Sequence, residues 1–202
     1  MRIMVIGADC PLGAALVVGL EQNFEVAAIG SGIESDIPGY RQVDLLAPEE
    51  VNAVLGGIDA VVCGALFAAE MTNEQELIDF VARSTYVVLG AACAAGIGRA
   101  VLLSNLDLLR DYPEDYVVNP QWNALPRADA AALAPMLVEL TGREIARKGA
   151  LDVRCLRLGT IGEETSSEDA VAAVQAALSA EALGHHWSLS HVASKGRFAG
   201  VV

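Results

Sequence analysis

With 202 residues, 53% of them hydrophobic, the chain has the size of one compact domain and enough apolar side chain to bury a sizeable core. Its 13 basic and 26 acidic side chains leave a net charge of −13, which disfavours nucleic acid and anionic lipid as partners but not one small phosphate ligand held by backbone amides. The longest nearly uncharged stretch, Tyr86 to Gly98, falls short of the ~20 apolar residues of a membrane span, so no membrane segment is expected.

Residues 2–6, RIMVI, form a β-rich run that ends at Gly7, and Pro11 to Leu20 follows with helical spacing. No charged region followed by an apolar one precedes this strand, which predicts a protein without a leader that stays in the cytoplasm. Residues 25–29, EVAAI, make a second strand closed by the turn-prone GSGIESDIPG, and YRQV is a short third. Pro48 with Glu49 and Glu50 starts a short helix to about Leu55, since proline suits the first helical position and acids suit the positive end of the dipole.

IDAVVCGAL, residues 58–66, reads as a buried parallel strand. Thr72 and Gln75 are spaced as a capping box for a long helix to about Gly96, in which Leu77, Ile78, Val81, Val88, Leu89 and Ala92 share a face. RAVLLSN, residues 99–105, is another buried strand, and a loop rich in Asp, Pro and Tyr runs to about Pro126. An Ala-rich helix over 127–149, a sixth strand LDVRCLRL and a helix begun by Ser167, Glu168 and Asp169 lead to HHWSLS. Cys10, Cys63, Cys93 and Cys155 lie in apolar runs without CxxC spacing and read as reduced thiols.

Strands alternating with helices predict an α/β architecture over 1–202: a doubly wound, mainly parallel sheet in a three-layer α/β/α sandwich, the Rossmann fold, as a single domain. Ligands of such sheets bind at the carboxyl ends of the strands, where strand order reverses. There VIGADCPLG places Gly7, Cys10 and Gly13 at the three positions of a GxxGxxG turn. Gly7 permits the tight turn, Gly13 lets helix pack on strand, and Pro11 and Leu12 open a helix whose amides face a pyrophosphate.

In these segments the chain resembles the extended short-chain dehydrogenase/reductase superfamily, the NAD-dependent epimerase/dehydratase group. QVDLLAPEEVNAVLGGIDAVVCGAL is similar to the family stretch that carries the adenine-contacting Asp and the loop over the cofactor. STYVVLGAACAAGIGRAVLLSN is similar to the segment ending in a Ser-rich active-site turn, and LDVRCLRLGTIG to the sixth strand. The resemblance implies NAD or NADP as cofactor, held by Gly7, Cys10, Pro11, Leu12, Gly13, Ser31, Asp44, Leu45, Cys63, Gly64 and Ala65.

Several positions depart from that pattern. Cys10 replaces the central glycine, and its side chain is expected to crowd the pyrophosphate. The end of the second strand reads Ile29, Gly30, Ser31, Gly32, with neither an acid for ribose hydroxyls nor an Arg for a 2′-phosphate, so NAD and NADP are not distinguished. The family's YxxxK pair, expected near Ala131 and Pro135, is missing, because residues 128–141 contain neither Tyr nor Lys. Only GEETSS stands where the family inserts a substrate lobe.

Ser104 and Asn105 fall at the family's catalytic Ser/Thr and read either as ligand contacts or as a strand cap. Tyr112 and Tyr116 are candidates to replace the missing phenol, with Arg110 or Arg127 as electrostatic partner, or to cover apolar surface. Cys10 at a helix start is either an activated thiol or a small apolar filler. His185, His186 and His191 lack the partners of a metal set. Trp122 and Trp187 mark an interface, a ligand contact or packing. Together these readings favour a dinucleotide-binding protein with a binding or regulatory role. The alternatives are an atypical NAD(P)-dependent oxidoreductase or epimerase, and a structural subunit with a vestigial cofactor site that pairs through the helices 72–96 and 127–149 with a second copy, as a homodimer, or with a complete family member.

Overall fold

The computed structural model describes residues 1–68, 71, 73–181 and 186–201. Strand β1 (Arg2–Ile6) leads through the glycine turn into helix α1 (Pro11–Leu20), and β2 (Glu25–Gly30), β3 (Arg41–Gln42) and α2 (Pro48–Val54) follow. Next come β4 (Ala60–Cys63), the single turn α3 (Ala65–Ala68), α4 (Glu74–Ala94) and β5 (Arg99–Asn105). A 3-10 turn at Leu106–Leu109, α5 (Ala130–Ala146), β6 (Asp152–Leu158), α6 (Ser167–Ser179) and β7 (Trp187–Val192) complete the chain.

The strands form one sheet in the order β3-β2-β1-β4-β5-β6-β7, and every pairing among the described residues is parallel. Two apolar layers cover it. Ile3, Val5, Val101 and Leu156 pack with α1 and α6, whereas Met4, Ile6, Leu102 and Cys155 pack with α2, α4 and α5. Burial on both faces explains why these strands read as continuous apolar runs rather than alternating ones. The doubly wound three-layer architecture is therefore the one expected.

Local differences from the sequence expectation have local causes. The strand predicted over 58–66 occupies only Ala60–Cys63: β1 stops at Ile6, opposite Cys63, and the chain turns at Gly64 into α3, leaving the last residues of β5 to pair with β6 alone. Thr72 lies outside the described residues. Helix α4 is capped by Asn73, whose Oδ1 accepts the amides of Gln75 (2.9 Å) and Glu76 (3.4 Å). Helix α5 begins at Ala130 rather than Arg127, because Asp129 caps it by accepting the Ala132 amide at 2.9 Å.

Helix α5 also continues through the buried Pro135. Helix α6 starts behind a capping box of Ser166 and Asp169. By length and composition, α4 alone among the described helices could cross a membrane. Here its apolar side, with Phe80, Val81, Val88 and Leu89, is buried in the layer shared with α2 and α5.

Candidate functional site

The strand order reverses at β1, whose neighbours are β2 and β4, so the loops after these three strands form a cleft at the carboxyl edge. Gly7 closes β1 with φ +81°, and a methyl group there would sit 2.7 Å from the Gly64 carbonyl carbon. A methyl on Gly13 would stand 2.1 Å from the Gly7 carbonyl oxygen. Both positions therefore admit only glycine: the first for its left-handed backbone, the second for the approach of α1 to the turn.

Cys10 does not crowd the phosphate approach as expected. Its Sγ turns back into the loop, donating to the Gly7 carbonyl and accepting the Gly13 amide, each at 3.3 Å, so the thiol caps α1. Burial raises its pKa, against the capping amide of Gly13, which lowers it; the thiol is a buried cap and not an activated nucleophile. The cap has a consequence for binding. Pro11 has no N–H and the Gly13 N–H is occupied, so a pyrophosphate meets fewer free amides here than at a glycine-only turn.

Asp9 is the site residue that the sequence pattern missed. Its carboxylate crosses to the end of β2, where Oδ2 accepts the Gly32 amide at 2.6 Å. Its Oδ1 is buried and has no partner among the described residues. A methyl on Gly30 would lie 2.0 Å from that oxygen, so Gly30 and Gly32 make the space into which Asp9 folds. Tyr40 donates to the Gly32 carbonyl at 2.7 Å, and burial together with the nearby Asp9 raises its phenol to about 12. The acid absent from the end of β2 in sequence is thus supplied in space from the turn after β1. The paired glycines at 30 and 32 were the available signal.

The other expected cofactor residues lie along the same edge. The Ser31 carbonyl accepts from Gln42 Nε2 at 3.3 Å. Asp44 is exposed, bonds the Leu46 amide through Oδ1, and has its own amide held by Glu50. Leu45 is core, and Cys63 is so buried that its thiol is raised to about 12. The Gly64 amide donates to the Ile6 carbonyl at 2.8 Å, and the buried Ala65 opens α3.

Ser104 lies at the end of β5, in register with Arg157 of β6, which is in register with His191 of β7. Its fully buried hydroxyl donates to Glu139 Oε1 at 2.7 Å. Arg157 grips both oxygens of the same carboxylate through Nε and Nη2, each at 2.7 Å. Arginine in a strand covered on both faces demands a buried acceptor, and that signal in LDVRCLRL could have pointed to Glu139. Asn105 caps the 3-10 turn by accepting the Asp107 amide at 3.2 Å.

The remaining candidates are held in contacts of their own. Tyr112 donates to the Asn123 carbonyl at 2.9 Å and meets Trp122 edge-on at 4.8 Å, and Tyr116 packs 5.9 Å from the same indole. Arg110 is bonded to Asp107, Glu164 and Thr160, and Arg127 to Asp129. His185 lies outside the described residues and His186 precedes β7. His191 is half-buried against Phe198, and burial, helped by the charge of Arg157, lowers its pKa to about 4. Trp122 and Trp187 face one cavity beside α5.

No protein-family model and no curated protein matches the chain. Solved structures do. Uronate dehydrogenase from Agrobacterium tumefaciens superposes with a TM-score of 0.82 at 23% identity, over 95% of this chain and 76% of that one. UDP-N-acetylglucosamine 4-epimerase from Bacillus cereus gives 0.81 at 20%, over 96% and 78%. DesIV, the dTDP-glucose 4,6-dehydratase of Streptomyces venezuelae with NAD bound, gives 0.78 at 20%, over 95% and 75%. The chain thus shares the Rossmann fold of these three enzymes over nearly its whole length.

Proposed function

We propose that the protein binds a nicotinamide dinucleotide at the β1 edge and acts through that binding, in a regulatory role, rather than by a Tyr–Lys proton relay. The observation that carries this reading is the state of Ser104: buried and bonded to the Glu139–Arg157 pair, its hydroxyl is a structural contact. Helix α5, which passes over it, contains no Tyr and no Lys.

The residues present fit a dinucleotide. Gly7 and Gly13 form a cradle that any Cβ would fill, and the orphaned Oδ1 of Asp9 suits the hydroxyls of a ribose. When bound, the nicotinamide supplies a hydride donor or acceptor. The carboxylate of Asp9 repels a 2′-phosphate, which favours NAD over NADP. Titration calorimetry with NAD, NADH, NADP and NADPH tests the reading. Heats with the first two, weaker or none with the phosphorylated pair, and no turnover of uronates or sugar nucleotides are expected. No heat with any of the four overturns it.

Self-association through α4 and α5 has separate support. Tyr86 is 66% exposed on α4, beside a shallow cavity of about 320 Å³ whose lining includes Gly90, Ala94, Ile145 and Lys148. Light scattering that finds a monomer at every concentration removes the homodimer. The reduced cysteines support a cytoplasmic setting.

A further inference from the structure

A second cavity lies away from the β1 edge, between α5, β7 and the loop at 120–124, with a volume of about 330 Å³. Its walls are apolar and aromatic: Trp122, Met136, Leu140, Trp187 and Leu189. Arg157 and Glu139 also line it, and Arg143, 58% exposed, stands among the same residues. Glu139 occupies Nε and Nη2 of Arg157, but Nη1 is buried and finds no acceptor among the described residues, although the side chain is only 3% exposed. A guanidinium nitrogen in that state calls for an oxygen ligand, because burial removes water as its acceptor.

Charge narrows the chemistry. The lining carries two arginines against one glutamate, one positive charge in excess in a chain whose net charge is −13, and Arg143 also faces the exposed Glu144 outside the lining at 3.6 Å. The volume falls within the range of small-molecule sites, ~300–1,000 Å³. The geometry points to a ligand site for a small monocarboxylate with an apolar or aromatic body, its carboxylate on Arg157 Nη1 and Arg143 and its body between Trp122 and Trp187. The single excess charge and the indole walls fit such an acid better than a phosphate, which brings more charge and no apolar surface.

Both tryptophans of the chain line this cavity, so their fluorescence reports its filling. The experiment titrates the full chain with phenylacetate and hexanoate, each beside its uncharged amide. The expected result is a saturable change in emission with the acids and about tenfold weaker binding of the amides, the usual gap between a charge-assisted and a neutral hydrogen bond. Arg143→Gln and Met136→Phe both alter exposed positions and leave the Arg157–Glu139 pair intact. Each should keep the parent's circular dichroism and melting temperature while weakening acid binding severalfold, the first by removing charge and the second by filling space. No saturation with either acid, equal binding of acid and amide, or unchanged affinity in both variants overturns the proposal. The dinucleotide titration reads the opposite part of the sheet, so the two readings fail independently.

Discussion

Replacing Glu139 by Ala should be among the most damaging single substitutions in this protein. Glu139 and Arg157 are 8% and 3% exposed, and the carboxylate accepts three hydrogen bonds at 2.7 Å, two from Arg157 and one from Ser104. Removing it leaves a buried guanidinium charge and a buried hydroxyl without partners. Breaking a buried pair from one side costs about 3–5 kcal/mol, a large share of the ~5–15 kcal/mol that holds a domain folded. For a chain of this size the loss corresponds to a drop in Tm of roughly 6–20 °C.

Urea denaturation followed by circular dichroism measures it. Glu139→Gln should lie near the Ala variant, since the charge on Arg157 remains unpaired. The double variant Glu139→Leu with Arg157→Met should recover most of the loss, because a well-packed apolar pair replaces a buried ion pair at little cost, and should retain about 1–3 kcal/mol for the buried Ser104 hydroxyl that stays without a partner. A single-variant loss below about 1 kcal/mol, or a double variant as unstable as the single, would refute the reasoning.

Gly7→Ala should destabilise the fold by about 2 kcal/mol or more, from its left-handed backbone and the 2.7 Å approach of Gly64, and should abolish dinucleotide heats; a normal denaturation midpoint contradicts this. His191 titrates at about 4 in the folded protein against 6.5 when free, so its contribution is complete above pH 6.5 and is lost as pH falls from 6.5 towards 4. The full shift is worth about 3 kcal/mol, and partial exposure reduces it to roughly 1–2 kcal/mol. His191→Phe should flatten that part of the stability curve, and a variant that loses stability as steeply as the parent argues against it. Asp9→Asn should narrow the preference for NAD over NADP by roughly tenfold, and an unchanged ratio of the two affinities removes Asp9 from ribose recognition.

Periodicity located the elements well where one physical pattern dominates. Strand β5 spans Arg99–Asn105 as read, because a run buried on both faces and bounded by Gly98 has no competing interpretation. Boundaries set by side-chain caps were less legible: Asn73 and Asp129, not the first residues of the helical pattern, decide where α4 and α5 begin. The site divides in the same way. Gly7 and Gly13 could be read because a local signal marks each: a left-handed backbone at Gly7, and at Gly13 the approach of α1 to Gly7 and Ala8, a few residues before it. Asp9 could not, since its meaning depends on a loop 23 residues later folding back to place Gly32 beside it. Glu139 resembles any acid on an Ala-rich helix until the sheet register puts Arg157 beneath it, 18 residues on.

The strand order also carries a timetable for assembly. Outward from β1 the sheet extends through β4, β5, β6 and β7 in the order in which these strands are synthesised, and β2 and β3 finish the other side within the first 42 residues. No strand has to be inserted between two that are already paired, so each addition needs only an edge that already exists. Growth from the amino terminus can therefore settle the rim around Gly7 and Gly64 once Ala65 has left the ribosome. The wall that holds Trp187 arrives 122 residues after Ala65, about three-fifths of the length of the chain. Lesions late in the sequence would then act on a half-sheet already in place, and those in the first strand on everything that follows.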